Sequence, residues 1–481
     1  MVELIKTGIF SITALAFFWN GPLSAWAGEM VYQTSPKVAA YFEKARSNES
    51  TLIAFLHKMP KGADLHNHLW GDIEAETLLE SALKKGLFFD RVSKSFTAQK
   101  PDGLHFTPEQ MVETFWNRAE VLEAISMRNA ALSGESGHEH FFRSFYRFAA
   151  AVPDDRESLR DHFTRAVNQR ISYLELMTYP GDGPQWAVEV EDIKNQVLAD
   201  FKKQGLQWEL ELRYIYPLDR NSDLEDFRAQ LAKGLQTAAD PSRRTVALTL
   251  LSPEDDRISQ TDFRAQMEAL DAAWRRLDEA RRQNPDNPPP PEFSIHSGEL
   301  TLEYAAYESL LDRISTTIAL GHASRIGHGV SIMWEDKVYE LLALMRERGL
   351  AVEICLTSNE SILKVGEGRH PFQLYWDAAV PVVLATDDQG LSRGTLTNEY
   401  AKAAEWFKLS YGELKWLAFN SLEYSFLPGE SLFEERDFNR PKPKVEALAQ
   451  ASEKARRQQH LLKAFQEYEA YMEKVIDDFN W

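Results

Sequence analysis

Residues 325–356 read RIGHGVSIMWEDKVYELLALMRERGLAVEICL and show in miniature how the chain is built. An apolar run from Arg325 to Gly329 leads into Glu335 to Arg348, where apolar positions recur at helical spacing between charged ones. A second apolar run, Ala351 to Leu356, follows. Strand, helix and strand in that order make the repeating unit of a parallel sheet. The alternation extends in both directions. Strand-like runs also occupy Ala63 to Leu69, Ile171 to Thr178, Glu209 to Tyr216, Arg244 to Leu251, Glu292 to Ser297 and Pro381 to Thr386, and a further helical pattern covers Asp262 to Arg282. Eight strands alternating with helices predict an α/β fold, a (β/α)8 TIM-type barrel. The gap from Leu69 to Ile171 has room for another strand and is read as extra helices over the C-terminal mouth.

Composition narrows the function classes. Of 481 residues, 44% are hydrophobic and 26% charged, which suits a large globular core and not a disordered chain. Asp and Glu number 73 against 54 Lys and Arg, a formal charge of −19 that would repel a phosphate backbone, so a general nucleic-acid binder is disfavoured. Cys355 is the single cysteine, so there is no intrachain disulfide and no thiolate cluster, and any metal is held by His and carboxylate. No G-x-G-x-x-G follows a strand, which leaves nicotinamide chemistry unsupported.

The chain ends are read separately. Lys6, the apolar run Ile9 to Trp19 and Ala25-Trp26-Ala27 fit a signal peptide over residues 1–27, with the mature start near Gly28 and a secreted or periplasmic destination. The other reading is a buried helix or an uncleaved anchor. No later stretch has the ~20 uninterrupted apolar residues of a membrane span, so no membrane contact is expected of the mature form. Residues 28–56 form a helical arm with two uses open to it, pairing two chains as a homodimer or docking on its own barrel. The barrel occupies 57–430, and surface helices occupy 431–481. Asn284 to Pro291, NPDNPPPP, is a stiff surface loop, because four prolines can neither continue a helix nor join a central strand.

The chemistry begins in the first strand. His66 and His68 stand two residues apart, so on a strand both side chains face the same way and can converge on one metal ion. The same spacing at His138 and His140 is assigned to a loop or helix end with no metal role. What sets the first pair apart is its company. His296 ends the fifth run in Ser294-Ile295-His296-Ser297-Gly298-Glu299, His328 ends the sixth, and Asp387 and Asp388 end the eighth. In such a barrel the carboxyl ends of the strands line one mouth, so these groups meet there. A two-metal centre bridged by a carbamylated lysine is disfavoured, since no lysine lies in the strand runs between His68 and His296.

Five segments, Met59-Pro60-Lys61-Gly62-Ala63-Asp64-Leu65-His66-Asn67-His68, His296-Ser297-Gly298-Glu299, Arg325-Ile326-Gly327-His328-Gly329, Thr357-Ser358-Asn359 and Thr386-Asp387-Asp388, stand in the order seen in the adenosine deaminase family. The chain resembles that family from about Met59 to Leu427. Its MPKG opening and Asn420-Ser421-Leu422-Glu423-Tyr424-Ser425 are similar to the secreted, growth-factor-related branch. The resemblance implies an amidohydrolase barrel with one Zn²⁺ per chain, held by His66, His68, His296 and Asp387, that activates water near neutral pH. It implies that His328 takes the proton from that water and orients it. Glu299, its pKa raised in a closed mouth, would protonate purine N1, and Asp388 would hydrogen-bond N7.

Departures from the family pattern bear on the substrate. Trp70 stands where the family usually carries an Asp expected to contact ribose, and could stack on substrate or fill space. Thr249 and Ser252 stand where an Asp and a Gly are more usual, and a backbone donor at Ser252 survives if the loop geometry does. The leading expectation is deamination of adenosine, or a close adenine nucleoside, to an inosine-type product and ammonia. The alternatives are the same chemistry on another aminopurine or amino-heterocycle, and a secreted nucleoside-binding or growth-factor-like protein without turnover.

Overall fold

Eight parallel strands lie side by side in chain order: β1 (Gly62–His68), β2 (Ile171–Met177), β3 (Glu211–Asp219), β4 (Thr245–Leu251), β5 (Glu292–Ser297), β6 (Arg325–His328), β7 (Ala351–Ile354) and β8 (Val382–Leu384). They come from a computed structural model that describes residues 34–481 apart from residue 182. The expected signal peptide, and residues 28–33 of the expected arm, lie outside the described residues. Each strand falls on one of the eight runs, although β3 continues to Asp219, beyond the expected Tyr216. The sheet closes on itself where Asp387 N–H donates to His66 O at 2.9 Å and His68 N–H donates to Asp387 O at 3.2 Å. The result is a (β/α)8 barrel.

Strands read as continuous apolar runs because both faces are covered, the inner by one another and the outer by helices. All seven residues of β2 are buried. The helix Phe263–Gln283 lays Met267, Leu270 and Ala273 against the barrel, and Val338–Arg348 ends at Gly349, whose φ of 64° is the left-handed cap that glycine supplies at low cost.

Between β1 and β2 the chain forms helices Ala75–Lys84, Pro108–Glu113, Phe115–Ala124 and Gly137–Phe148, and the helix Asp155–Asn168 returns it to β2. It also forms a three-stranded antiparallel sheet (Phe88–Asp90, Ser95–Thr97, His105–Phe106) separate from the barrel. The insertion is therefore helix and sheet, where helices alone were expected. Its apolar side chains share a second core with Val330, Ile362, Leu363, Val365 and Leu391, all of which follow β6, β7 or β8. That contact places it over the carboxyl ends of the strands.

The helices Pro36–Ala45 and Glu49–His57 pack on their own barrel, the second of the two uses open to the arm. Phe55 meets Phe42, Tyr411 and Tyr468 with ring centroids 5.3, 5.5 and 5.7 Å apart. The Lys61 ammonium, fully buried, donates to the carbonyls of Leu56 and Met59 at 2.9 Å and of Gln169 at 3.0 Å. Gly62, at φ 71°, lies so close to the helix Tyr411–Glu423 that a Cβ would fall 2.4 Å from Ala418 O.

The region 431–481, expected to be helical throughout, opens with a hairpin, Phe433–Glu434 against Asp437–Pro441, before helices Val445–Ala451 and Glu453–Phe479. Glu435 and Arg436 take φ of 49° and 61°, the two positive values of a tight hairpin turn. Phe433 and Phe438, 5.5 and 5.4 Å from the Phe419 ring, give the hairpin its buried face. Asn284 to Pro291 lie in neither helix nor strand, as expected. Among the described residues no helix is long and apolar enough to cross a membrane.

Candidate active site

The strand ends gather the expected groups. His66 and His68, one pleat apart on β1, point to the barrel axis, where they meet His296 from the end of β5 and Asp387 just beyond β8. One ligand atom from each of the four lies within 4.8 Å of the others. Asp387 Oδ1 is 3.1 Å from His68 Nε2 and 3.5 Å from His66 Nε2, and His296 Nε2 is 3.4 Å from His68 Nε2. Asp387 and His328 hold φ of 58° and 63°, a region non-glycine residues seldom enter. Such backbone strain collects at functional sites.

The donor set fits a metal ion. His66 Nε2 is buried and has no hydrogen-bond partner although Asp387 and two imidazoles crowd it. Burial, reinforced by the neighbouring histidines, keeps the His296 imidazole far on its neutral side. Burial opposes the charge on Asp387, but the His66 and His68 rings beside it hold the carboxyl well below the usual range. A neutral imidazole and an ionised carboxylate are forms that a divalent cation takes as ligands.

Three of the four, His66, His296 and Asp387, are braced from behind. His66 Nδ1 lies 2.7 Å from Glu353 Oε2, and Glu353 also accepts from Ser294 Oγ at 2.7 Å and from Arg325 Nε at 2.5 Å. Burial works against ionisation of Glu353, yet Arg325 and His66 bring its pKa down to about 2. Arg325 reaches on to Glu175 Oε2 at 2.6 Å. Ser358 Oγ donates to Asp387 Oδ2 at 2.6 Å. Thr249, standing where the family more often has an Asp, places its hydroxyl 3.1 Å from His296 Nδ1. A partner on the second ring nitrogen fixes tautomer and ring orientation, which a metal ligand requires.

Around this cluster stand the groups expected to handle protons and substrate. Glu299 Oε2 is 3.7 Å from His328 Nε2, and Glu299 Oε1 is buried without a partner. Burial, with the charges of Asp387 and Glu254 added, pushes the Glu299 carboxyl well above its ordinary value. Asp388 is pushed the same way by burial and by Asp387, and its Oδ1 too is buried and unpaired. Gly71 is required beside it, since a Cβ there would fall 1.5 Å from Asp388 Oδ1. Gly298, at φ 80°, makes the sharp turn that carries the chain from His296 to Glu299. Glu254 clamps that turn, Oε1 accepting from Gly298 N–H at 2.9 Å and Oε2 from Glu299 N–H at 2.8 Å.

Trp70 lies on the turn after β1 and is 48% exposed, so it does not serve as core filling. Ser252 is exposed on the loop after β4, and its φ of 79° keeps the conformation a glycine would take. Neither member of the second histidine pair joins the cluster. His140 is hydrogen-bonded to Glu135 and to the carbonyls of Glu123 and Ser126. His138 stacks on Tyr304, 4.5 Å between centroids, and lies 3.1 Å from Asp255 Oδ1. Sequence reasoning missed Glu353, Arg325, Glu175 and the clamping role of Glu254. A signal existed in a charged residue inside a strand that is otherwise apolar, as in Ala351–Ile354, because a buried charge must be paired.

Comparison with known proteins gives the family and the fold. The adenosine deaminase of Enterococcus faecalis is 38% identical over 115 residues, which is 24% of this chain and 33% of that protein, so that match spans about a third of the relative. The human N6-methyl-AMP deaminase is 23% identical over 399 residues, 81% of this chain and 96% of its own. Among solved structures, an Arabidopsis ADAL complexed with IMP superposes with a TM-score of 0.52 at 19% identity, covering 86% of this chain and 99% of that one, which shows a shared fold. The family model for adenosine deaminase matches residues 118–437. The chain belongs to the adenosine deaminase family, and it is an aminohydrolase of that family.

Proposed function

We propose that this chain hydrolytically removes the six-amino group of adenosine, or of a close adenine nucleoside, with one zinc ion held by His66, His68, His296 and Asp387. The observation that carries the reading is the set of buried, unpaired polar atoms at one rim: His66 Nε2, His328 Nε2, Glu299 Oε1 and Asp388 Oδ1. Buried polar atoms in a native fold are nearly always satisfied, so four orphans facing one space call for a metal and a polar substrate there. Bound in that seat, zinc supplies a nucleophile near neutral pH by lowering the pKa of water from 15.7 to about 7.

The chain's own residues do the rest. Glu299 delivers its proton to purine N1, which weakens the aromatic bonding at C6 so that the oxygen of water can add there; one proton of that water passes to the amino group, which leaves as ammonia, and the other restores Glu299. Asp388, its carboxyl pushed toward the protonated form by burial and by Asp387, donates a hydrogen bond to N7, an acceptor in every purine. His328 orients the attacking oxygen. The insertion over the mouth excludes bulk water, which strengthens each of these contacts.

A second reading keeps the chemistry and changes the substrate to another aminopurine, and Trp70 is the observation in its favour, since it removes the carboxylate expected at the ribose. Relatives in the family include a deaminase of N6-methyl-AMP. Ammonia release and the ultraviolet change, measured on zinc-loaded protein with adenosine, N6-methyl-AMP and adenine side by side, separate the readings. Adenosine is expected to give the highest kcat/KM, and a preference for free base or nucleotide of tenfold or more would replace it. The growth-factor-related branch rests on the MPKG opening and on the segment Asn420 to Ser425. Export rests on Ala25-Trp26-Ala27, and N-terminal sequencing of the exported protein is expected to begin at Gly28, with an intact Met1 as the contrary result.

A further inference from the structure

Behind His328 runs a chain of three hydrogen bonds that starts on the backbone. Phe372 N–H donates to His370 Nδ1 at 3.1 Å. A backbone amide can only donate, so Nδ1 accepts and the neutral His370 ring carries its proton on Nε2. That Nε2 lies 3.1 Å from the Asn359 side chain, whose facing atom must then be the acceptor Oδ1. The amide nitrogen of Asn359 is thereby turned to His328 Nδ1, 3.0 Å away, and donates to it. With its Nδ1 lone pair taken, neutral His328 keeps its proton on Nε2, the atom that faces Glu299. Each assignment follows from the one before, so none depends on how the amide of Asn359 is placed.

The chain is dry and rigid. His370, Asn359 and His328 are all buried, and burial holds the His370 imidazole neutral, its pKa brought down to about 3. Phe372, which starts the chain of bonds, is stacked on Phe407 at 4.2 Å and on Trp376 at 5.5 Å. Three residues on, Tyr375 Oη donates to Gly329 O at 2.6 Å, tying the same short helix, Phe372–Asp377, to the residue after His328.

We propose that His370 is a positioning residue which, acting through Asn359, fixes His328 as the Nε2–H tautomer. His328 then meets the reacting oxygen as a hydrogen-bond donor. The proton-acceptor role implied by the family resemblance would need a bare lone pair on Nε2, and this chain of bonds leaves none. The catalytic part of the inference rests on the deaminase reading; the tautomer does not.

The test uses zinc-loaded protein labelled with ¹⁵N-histidine, in which two-bond nitrogen–proton correlations report the protonated ring nitrogen, His328 being assigned by its missing signal in His328→Gln. The expected result is Nε2–H in the native protein. Asn359→Asp, isosteric but without the N–H, moves the proton to Nδ1 and lowers kcat by on the order of 10²-fold or more with KM little changed. His370→Phe frees the amide and gives a mixture of tautomers with an intermediate loss, and it serves if the first variant fails to fold. A native Nδ1–H signal, or an unchanged tautomer in either folded variant, overturns the inference. If the native protein turns over none of the purines, the deaminase reading falls while the spectra still decide the tautomer.

Discussion

Replacing Glu299 with glutamine is expected to lower the deamination rate by about 10²- to 10⁴-fold, the range a positioned general acid supplies, while zinc content stays at one per chain. Glutamine matches the size of the side chain, and the Glu254 clamp grips only the backbone of residues 298 and 299, so the group stays in place and loses its acidic proton. The native carboxyl is suited to donate because burial, then the charges of Asp387 and Glu254, raise its pKa. The form that works is the protonated one, so turnover falls as pH rises through that raised value. Ammonia release against pH for the native protein and the variant checks both points. A variant rate within threefold of native would remove Glu299 from the mechanism.

The largest structural effect is expected at Arg325, which touches neither metal nor substrate. Its guanidinium is buried between Glu175 and Glu353 and lies 3.8 Å over the Phe426 ring. Arg325→Met fills the volume but leaves two buried carboxylates without their cation, a defect that costs about 3–5 kcal/mol. Glu353 is then no longer held as the ionised partner of His66, and loss of such a brace lowers metal affinity by roughly 10–100-fold. Denaturant unfolding of the metal-free protein reads the first effect and zinc competition against a chelator the second. An unchanged midpoint would show that the guanidinium is not what keeps the buried carboxylates tolerable. Because the Glu353 pKa lies near 2, below the ordinary 4.5, its share of stability is full above 4.5 and is lost as pH falls through 2. Acid therefore weakens the native protein more than it weakens Arg325→Met.

The barrel was legible because parallel strands covered on both faces leave an unmistakable trace, short apolar runs at the spacing of one helix, as in residues 325–356. The clustering of the candidate groups was legible for a related reason: His66 and His68 share the two-residue period of a strand, and the other groups stand at the ends of runs already identified. The hairpin at 433–441 was not, because Glu435 and Arg436 occupy turn positions where Asn and Gly would have announced it. Nor were the braces. Glu353 lies four residues before Thr357, outside every segment that carried the resemblance, and His370 sits in a loop with no period at all. Their meaning comes from neighbours distant in the chain, which spacing along one strand does not report.

The seam that closes the barrel and the candidate seat for a metal share three residues, His66, His68 and Asp387. Asp387 bonds through its backbone to His66 and His68, and through its side chain it faces their rings, across a separation of more than three hundred residues. No partial chain, however well its early strands have formed, contains the complete set of ligands. A complete seat for an ion would therefore exist only after the final strand has docked on the first. An ion held there would act as a rivet across the junction, joining the first strand to the last.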